Sequence, residues 1–431
     1  MRVSSGMIFD AGVASMGRQT SSLMTIQQQV ATGKRILSPS DDPVSAARAI
    51  EVSQATEMTE QFKRTQDYAT SALSIEETQL AAAGDILLRV SELAVQGGSP
   101  ALNSTARKGI AVELRARFDQ LVGIANSTGG DGNFIFAGYK SSVAPFGGSV
   151  DNLIAGNEIV YQGDDGQRKL QVSPTRFVEI SDSGSDVFTR IRNGNGYFTS
   201  GFSNSNTGTA VINGGAVTDP SAWNASATKD VAIKFTVAGG VTTYDLVDTG
   251  TGNSLLTGGV APAPVASQRS YQPGQPIILK SQGAEPAFDL GGSVTVTGNA
   301  ATGDQFSLVP SSSQSVFATI AKLIGALEAA QPDAAAAARY RNDLEFATND
   351  LNAAFENVSR VRAQVGSRMN EIDALGTMSD DMVLEYKKTL SNLQDVDYAE
   401  AITTLTRRQM ELEAAQQSFM KIAKLSLFNF L

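Results

Sequence analysis

Five apolar residues spaced seven apart, Leu344, Leu351, Val358, Val365 and Ile372, constrain this chain more than any other feature. Ala347, Ala354, Val361, Arg368 and Leu375 form a second row three residues further on. Together the rows make a 3-4 helical seam over five heptads, interrupted only at Arg368. At 1.5 Å per residue, a helix over about 334–375 reaches roughly 60 Å, longer than one face of a compact domain, which predicts a rod. Such a helix needs partners, because isolated helices are marginal in water. One partner seam runs through Ala69, Leu73, Leu80, Ala83, Leu87 and Val90, on a helix that Asp42 caps and Pro43 opens. A third helix over 103–127 carries Ile110, Leu114, Phe118, Leu121 and Ala125.

Both ends of the chain add further stripes. Met16, Leu23 and Val30 are seven apart, with Ile26 between. After Asp395 the helical pattern restarts, with Asp397 and Glu400 as a capping-box pair. It then runs Tyr398, Ile402, Leu405, Leu412, Phe419 and Ile422. Each stripe alone reads as an ordinary buried helix face. Lying at opposite ends of the sequence, they imply that the termini pack on each other and complete their cores by assembly with further copies.

Helix breakers are concentrated in the middle. Nine of the 13 prolines fall between Pro145 and Pro310, whereas 333–431 has none, so turns belong to the middle and long helices to the ends. Asn133-Phe134-Ile135-Phe136-Ala137-Gly138-Tyr139 reads as a strand. Residues 158–161 and 169–172 flank Asp164-Asp165-Gly166 as a hairpin, and 231–237 and 242–247 flank Gly239-Gly240 as a second. Residues 293–297 and 305–309 look like a third pair, and Ala261-Pro262-Ala263-Pro264 like a surface loop. The expected fold class is α+β: a long coiled-coil-like helical rod built from both chain ends, with an inserted β-rich domain. Its expected parts are terminal assembly helices (1–42 with 396–431), a helical rod domain (43–130 with 311–395), a β-hairpin part of that domain (131–180) and a β-rich outer domain (181–310). The rod core is expected at Leu73, Leu80, Leu87, Leu344, Leu351, Val358, Val365 and Ile372.

Composition removes most kinds of chemistry. The chain has no cysteine and no histidine, so thiolate nucleophiles, imidazole bases and soft metal ligands are all missing. The acidic pairs Asp41-Asp42, Asp164-Asp165 and Asp380-Asp381 read as a helix cap, a hairpin turn and a helix start after Ser379, with no third ligand at EF-hand spacing. Gly129-Gly130-Asp131-Gly132 follows a helix and reads as its cap and turn, and Gly291-Gly292 lacks the Lys and helix start of a phosphate loop. The expectation is no enzyme, no cofactor and no metal. A net charge of −10 disfavours nucleic acid and anionic membranes. No stretch is long enough to span a bilayer, and the first residues carry no cleavable signal, so no membrane insertion is expected. Gly33-Lys34-Arg35 admits two readings, solvated charge or salt bridging between subunits. The apolar ending Ser426-Leu427-Phe428-Asn429-Phe430-Leu431 is expected to dock into protein.

Two runs carry a resemblance. Ala31-Thr32-Gly33-Lys34-Arg35-Ile36-Leu37-Ser38-Pro39-Ser40-Asp41-Asp42-Pro43-Val44-Ser45-Ala46-Ala47, between two helices, resembles the N-terminal signature of the flagellin family. The stretch from Asp397-Tyr398-Ala399-Glu400-Ala401-Ile402 through Gln416-Gln417-Ser418-Phe419 to Leu425-Ser426-Leu427-Phe428 resembles the family's C-terminal end. Within the family, Phe134–Lys140 followed by Pro145-Phe146, the run Gly303-Asp304-Gln305-Phe306, and the last six residues are more similar to subunits of the hook–filament junction than to filament flagellin. The resemblance implies a structural subunit exported unfolded and uncleaved through the flagellar type III apparatus to an extracellular position. Its implied partners are the first hook-associated protein, flagellin, further copies in a ring, and an export chaperone at the C-terminal helices. It also implies an assembly interface at Met16, Leu23, Val30, Lys34, Arg35, Ile402, Leu405, Leu412, Phe419, Leu427 and Phe428. The alternatives are filament flagellin, or a secreted adhesin or signalling ligand acting through 181–310. Arg368 is the one residue of the seam that neither the periodicity nor the resemblance accounts for.

Overall fold

Helices occupy both ends of the chain and strands fill the middle, as the distribution of breakers demands. The computed structural model describes the backbone of residues 5–428, with the side chains of residue 7 and of 9–421. The helices are α1 (Ser5–Thr32), α2 (Pro43–Gly97), α3 (Ser104–Ala125), α4 (Val150–Ile154), α5 (Pro220–Ala225), α6 (Val316–Glu328), α7 (Ala334–Gln394) and α8 (Tyr398–Phe428). The chain divides into a smaller unit (Met1–Asp67, Gln171–Arg176 and Asp373–Leu431) and a larger one (Tyr68–Leu170 and Phe177–Ile372), with α2 and α7 contributing residues to both.

Two helical details differ from expectation. α7 does not stop near 375, and Asp380-Asp381 lie inside it rather than at a new start. Ser379 cannot cap a helix there because its hydroxyl donates back to the Leu375 carbonyl at 2.8 Å. α6 is an addition: Ser315 accepts from the Phe317 N–H, and Val316, Phe317, Ile320, Leu323, Ile324 and Leu327 are all buried.

The larger unit is built on the two seams. Leu73, Leu80, Leu87, Leu344, Leu351, Val358, Val365 and Ile372 are all buried. The helices meet where Gly84 faces the ring of Phe355, where the Tyr340 hydroxyl donates to the Gly97 carbonyl at 2.7 Å, and where Arg362 pairs with Glu77 at 2.6 Å. α3 packs on α6 with Phe118 edge-on to Phe317 at 5.9 Å, and Arg115 bridges to Glu328.

Arg368 interrupts the seam because it is the cation of a buried polar cluster. Its guanidinium makes two bonds to the Asp182 carboxylate, at 2.8 and 3.0 Å, and reaches Glu179 at 3.2 Å. The Asp182 N–H donates to Glu76 Oε1 at 2.8 Å, and Glu76 has no solvent exposure. Burial, reinforced by the Asp182 charge, pushes the Glu76 carboxyl up to about 8.

The strands are β1 (Phe146–Gly147), β2 (Val160–Tyr161), β3 (Lys169–Ser173), β4 (Arg176–Glu179), β5 (Ile191–Arg192), β6 (Phe198–Phe202), β7 (Val211–Ile212), β8 (Ala216–Val217), β9 (Val231–Ala238), β10 (Val241–Asp248), β11 (Asn253–Ser254), β12 (Arg269–Ser270), β13 (Pro276–Lys280), β14 (Asp289–Thr297), β15 (Gln305–Pro310) and β16 (Ser313–Gln314). One sheet runs β11-β10-β9-β15-β6 with β12 beside β10, and a second runs β13-β14-β7 with β8 beside β14. Phe198, Trp223, Ile233, Phe235, Leu246, Val294, Phe306 and Leu308 belong to the core of this inserted region. The region sits on α7: the Ile212 N–H donates to the Asn342 side chain at 2.9 Å, and Phe346 stacks on Phe202.

The Gly239-Gly240 hairpin forms as expected, with φ of 60° and 79° closing β9 onto β10 in a two-residue turn. Three strand expectations fail. Residues 133–139 form turns, because Gly138 takes φ 68° and the Asp164 side chain accepts from both the Tyr139 and Gly166 N–H groups. That places Phe136 edge-on to Phe188 in a buried cluster. Val160–Tyr161 pairs with Phe146–Gly147 rather than with 169–172. β14 and β15 lie in different sheets, since β15 is taken between β6 and β9. The Ala261–Pro264 segment is not wholly on the surface either: Ala263 is buried, its N–H held by Asp245 at 2.8 Å.

Candidate assembly site

α1 packs along α8 in the smaller unit. Phe9 and Phe419 meet with ring centroids 4.9 Å apart, and Gly12 makes room: a Cβ there would come within 2.8 Å of the Phe419 ring. Met16, Leu23, Val30, Leu405, Leu412 and Phe419 are half-buried, whereas Ile402 is exposed. Leu427 and Phe428 lie on α8 with side chains outside the described residues, and residues 429–431 of the apolar ending are outside them altogether.

The Gly33–Asp42 segment ties the two ends together. Gly33 ends α1 in the left-handed region (φ 71°), where the Tyr398 hydroxyl would crowd any Cβ. Its carbonyl accepts from the Val396 N–H at 2.9 Å, and the Arg35 N–H donates to the Gln394 carbonyl at 2.6 Å. The Arg35 guanidinium donates to the Leu393 carbonyl at 2.8 Å and pairs with Asp42 at 3.4 Å. Asp41 accepts from the Leu37 and Ser38 N–H groups, and Asp42 from the Ser45 N–H as the cap of α2. Hydrogen bonds from Ser45, with help from Arg35, hold the Asp42 carboxyl below its ordinary range. Arg35 thus makes its salt bridge within the chain, while Lys34 stays exposed.

The half-buried stripe is only part of the apolar surface on these helices. Met7, Phe9, Val13 and Met24 on α1, and Tyr398, Ile402, Met410 and Met420 on α8, are exposed. Met7, Met24, Met410 and Met420 were not singled out by seven-residue spacing. Methionine usage is the signal that finds them: of the ten in the chain, only Met369 belongs to the larger unit. Flexible, polarizable thioethers suit surfaces that must fit partners. Large exposed apolar patches commonly mark interaction sites.

The acidic pairs have structural work. Asp380 pairs with Lys63, while Asp165 pairs with Arg190 and accepts from Ser185. Among the described residues no group of Asp and Glu is placed to hold a metal ion, and no helix is long and apolar enough to cross a membrane.

Known proteins resemble this chain in sequence and in fold. The family model of the bacterial flagellin N-terminal helical region matches residues 3–141, and that of the bacterial flagellin C-terminal helical region matches residues 348–431. Flagellar hook-associated protein 3 of Salmonella typhimurium is 23% identical over 429 residues, spanning 100% of this chain and 99% of the relative. Its Escherichia coli counterpart is 24% identical over the same span. Among solved structures, the flagellar junction protein FlgL from Legionella pneumophila is similar with a TM-score of 0.69 and 27% identity, covering 81% of this chain and 100% of that one. Xanthomonas campestris FlgL gives 0.63 and 30%, covering 79% and 99%.

Proposed function

Since the chain belongs to the flagellar hook-associated protein 3 family, with flagellin-type helical regions at both ends, we propose that it is a structural, non-enzymatic subunit of the flagellum at the junction of hook and filament. The observation that carries this reading is the terminal helix pair, which matches the flagellin ends and leaves apolar side chains exposed, Met7, Met24, Met410 and Met420 among them. On this reading, neighbouring copies cover those side chains to form a ring, with the first hook-associated protein on one side and flagellin on the other. The interface takes in Met16, Leu23, Val30, Lys34, Ile402, Leu405, Leu412, Phe419, Leu427 and Phe428, together with Met7, Met24, Met410 and Met420. Arg35 acts in it indirectly, by fixing the connection between α7 and α8.

The subunit reaches its place by export through the flagellar apparatus, with the C-terminal helices covered by a chaperone until then. A cysteine-free sequence suits that route, since no disulfide can form on the way. Similarity along the whole length to hook-associated protein 3 favours the junction over filament flagellin. A strain lacking this chain tests the reading. It should keep its hooks while flagellin accumulates in the medium. Filaments that remain attached would refute the junction position.

A further inference from the structure

β7 and β8 lie one after the other along β14, and the chain joining them carries one residue more than the strand it faces. Ile212 is opposite Val296 and Ala216 opposite Ser293, so Asn213, Gly214 and Gly215 are matched by only Val294 and Thr295. The extra residue makes a bulge, and at it the Thr295 N–H is met by a side chain instead of a backbone carbonyl. Asn213 Oδ1 accepts from the Thr295 N–H at 2.8 Å and from the Gly215 N–H at 3.1 Å. The Asn213 N–H donates to the Thr295 carbonyl at 3.0 Å. The carboxamide is thus folded back over the Gly214 peptide.

An asparagine side chain followed by glycine is open to attack by the main chain. The glycine nitrogen adds to the carboxamide carbon, the new N–C bond closes a five-membered imide, and Nδ2 leaves as ammonia. Water then opens the imide at either carbonyl. One product is aspartate; the other is isoaspartate, in which the main chain runs through the former side chain. Glycine hinders the attack least, having no Cβ. The addition builds negative charge on Oδ1, where two backbone N–H groups already point at Asn213. Donors held about 2.7–3.1 Å from a developing oxyanion lower the barrier to such additions.

The chain has three Asn-Gly pairs, at 193–194, 195–196 and 213–214. The side-chain oxygens are supported alike. Asn193 accepts from the Ser312 N–H at 2.8 Å, and Asn195 from the Tyr197 and Phe198 N–H groups at 3.1 and 2.9 Å. The attacking N–H separates the three. That of Gly194 is held by the Asp350 carboxylate at 2.9 Å, and that of Gly196 by the Asn193 carbonyl at 3.3 Å. That of Gly214 has no hydrogen-bond partner among the described residues. Asn213 is also exposed, so ammonia can leave and water can enter.

We propose that Asn213 is a site of spontaneous modification, converting to aspartate and isoaspartate through an imide formed with Gly214, ahead of the other two pairs. Each event puts a negative charge at the β7–β8 turn, and the isoaspartate form also lengthens the main chain within the bulge. The turn thereby records the age of a subunit covalently. The inference is independent of the assembly role and stands or falls without it.

The test is incubation of the purified full-length chain at mildly alkaline pH, folded and in guanidinium chloride, followed by peptide mapping. Trypsin leaves all three pairs on one peptide, 193–229, and a chymotryptic cut after Tyr197 or Phe198 separates 213 from the other two. The mass change of –NH2 to –OH locates the site, and isoaspartyl methylation reports isoaspartate. In the folded chain, 213 should react about fivefold faster than 195 and about tenfold faster than 193. Those are the factors for freeing an N–H from a neutral and from a charge-assisted hydrogen bond. In the denatured chain the three should react at similar rates. Asp350→Ala frees the Gly194 N–H and should speed the reaction at 193, with circular dichroism unchanged. If that variant misfolds, the wild-type comparison decides alone. A folded chain that spares 213 while the denatured chain reacts would overturn the proposal, as would reaction first at 193 or 195. The same ranking in denaturant would overturn it too, by assigning the order to local sequence instead of the fold.

Discussion

Glu76 is the residue whose chemistry departs furthest from its position in the sequence. In the folded chain its carboxyl is raised to about 8, against about 4.5 in an unfolded chain. The folded state therefore holds a proton that the unfolded state gives up between those values. The stability this contributes is complete below pH 4.5 and is lost as pH rises toward 8. Thermal melts of the wild type should accordingly fall between pH 5 and pH 8.5, by an amount worth more than about 1 kcal/mol, since one pKa unit is about 1.4 kcal/mol. Glu76→Gln should flatten that dependence and melt higher at neutral pH. An unchanged slope in the variant would assign the titration elsewhere. Arg368→Met should be strongly destabilising, by about 3–5 kcal/mol, because it leaves the buried Asp182 carboxylate beside the seam without its cation, while Glu179 keeps Lys169. An ordinary seam position such as Leu87→Ala should cost about 2–5 kcal/mol by the cavity it opens, and urea unfolding of both variants measures the two losses.

At the scale of elements, the connection between the terminal helices depends on local geometry. Gly33→Val places a branched side chain at φ 71° against Tyr398, and should loosen the α1–α8 pair without unfolding the larger unit. Limited proteolysis of the monomer reads this out: cuts within the first ~40 and last ~35 residues should appear faster in the variant. Equal rates would mean that Gly33 is dispensable to the pairing. Elements of this kind were legible in the sequence where their cause is local. Heptad spacing located α2, α3 and α7, Asp42 and Asp397 marked the starts of α2 and α8, and two adjacent glycines marked the β9–β10 turn. What was illegible is decided far along the chain. Arg35 finds its carbonyl partner 358 positions away, and β15 pairs with β6 and β9 instead of its neighbour β14. The apolar run 133–139 forms turns because Asp164 captures its backbone. Methionines at 7, 24, 410 and 420 fall outside any heptad count, so the spacing does not carry their exposure on α1 and α8.

At the scale of the whole molecule, the inserted β region is held by the chain that enters and leaves it. β5 pairs with β16, and the Asn193 N–H donates to the Ser312 carbonyl at 3.0 Å. Replacing 194–311 by a short linker should therefore leave a helical subunit that still assembles. It should melt lower, because Asn342 and Phe346 lose their partners on β6 and β7. The central claim is that assembly belongs to the terminal helix pair. The most direct measurement is an electron cryo-microscopy map of isolated hook–filament complexes, at a resolution that places side chains. A ring of this chain should appear at the junction, with Met7, Met24, Ile402, Met410 and Met420 covered by neighbouring subunits. A ring in which those side chains still face solvent, with contacts made elsewhere, would contradict it.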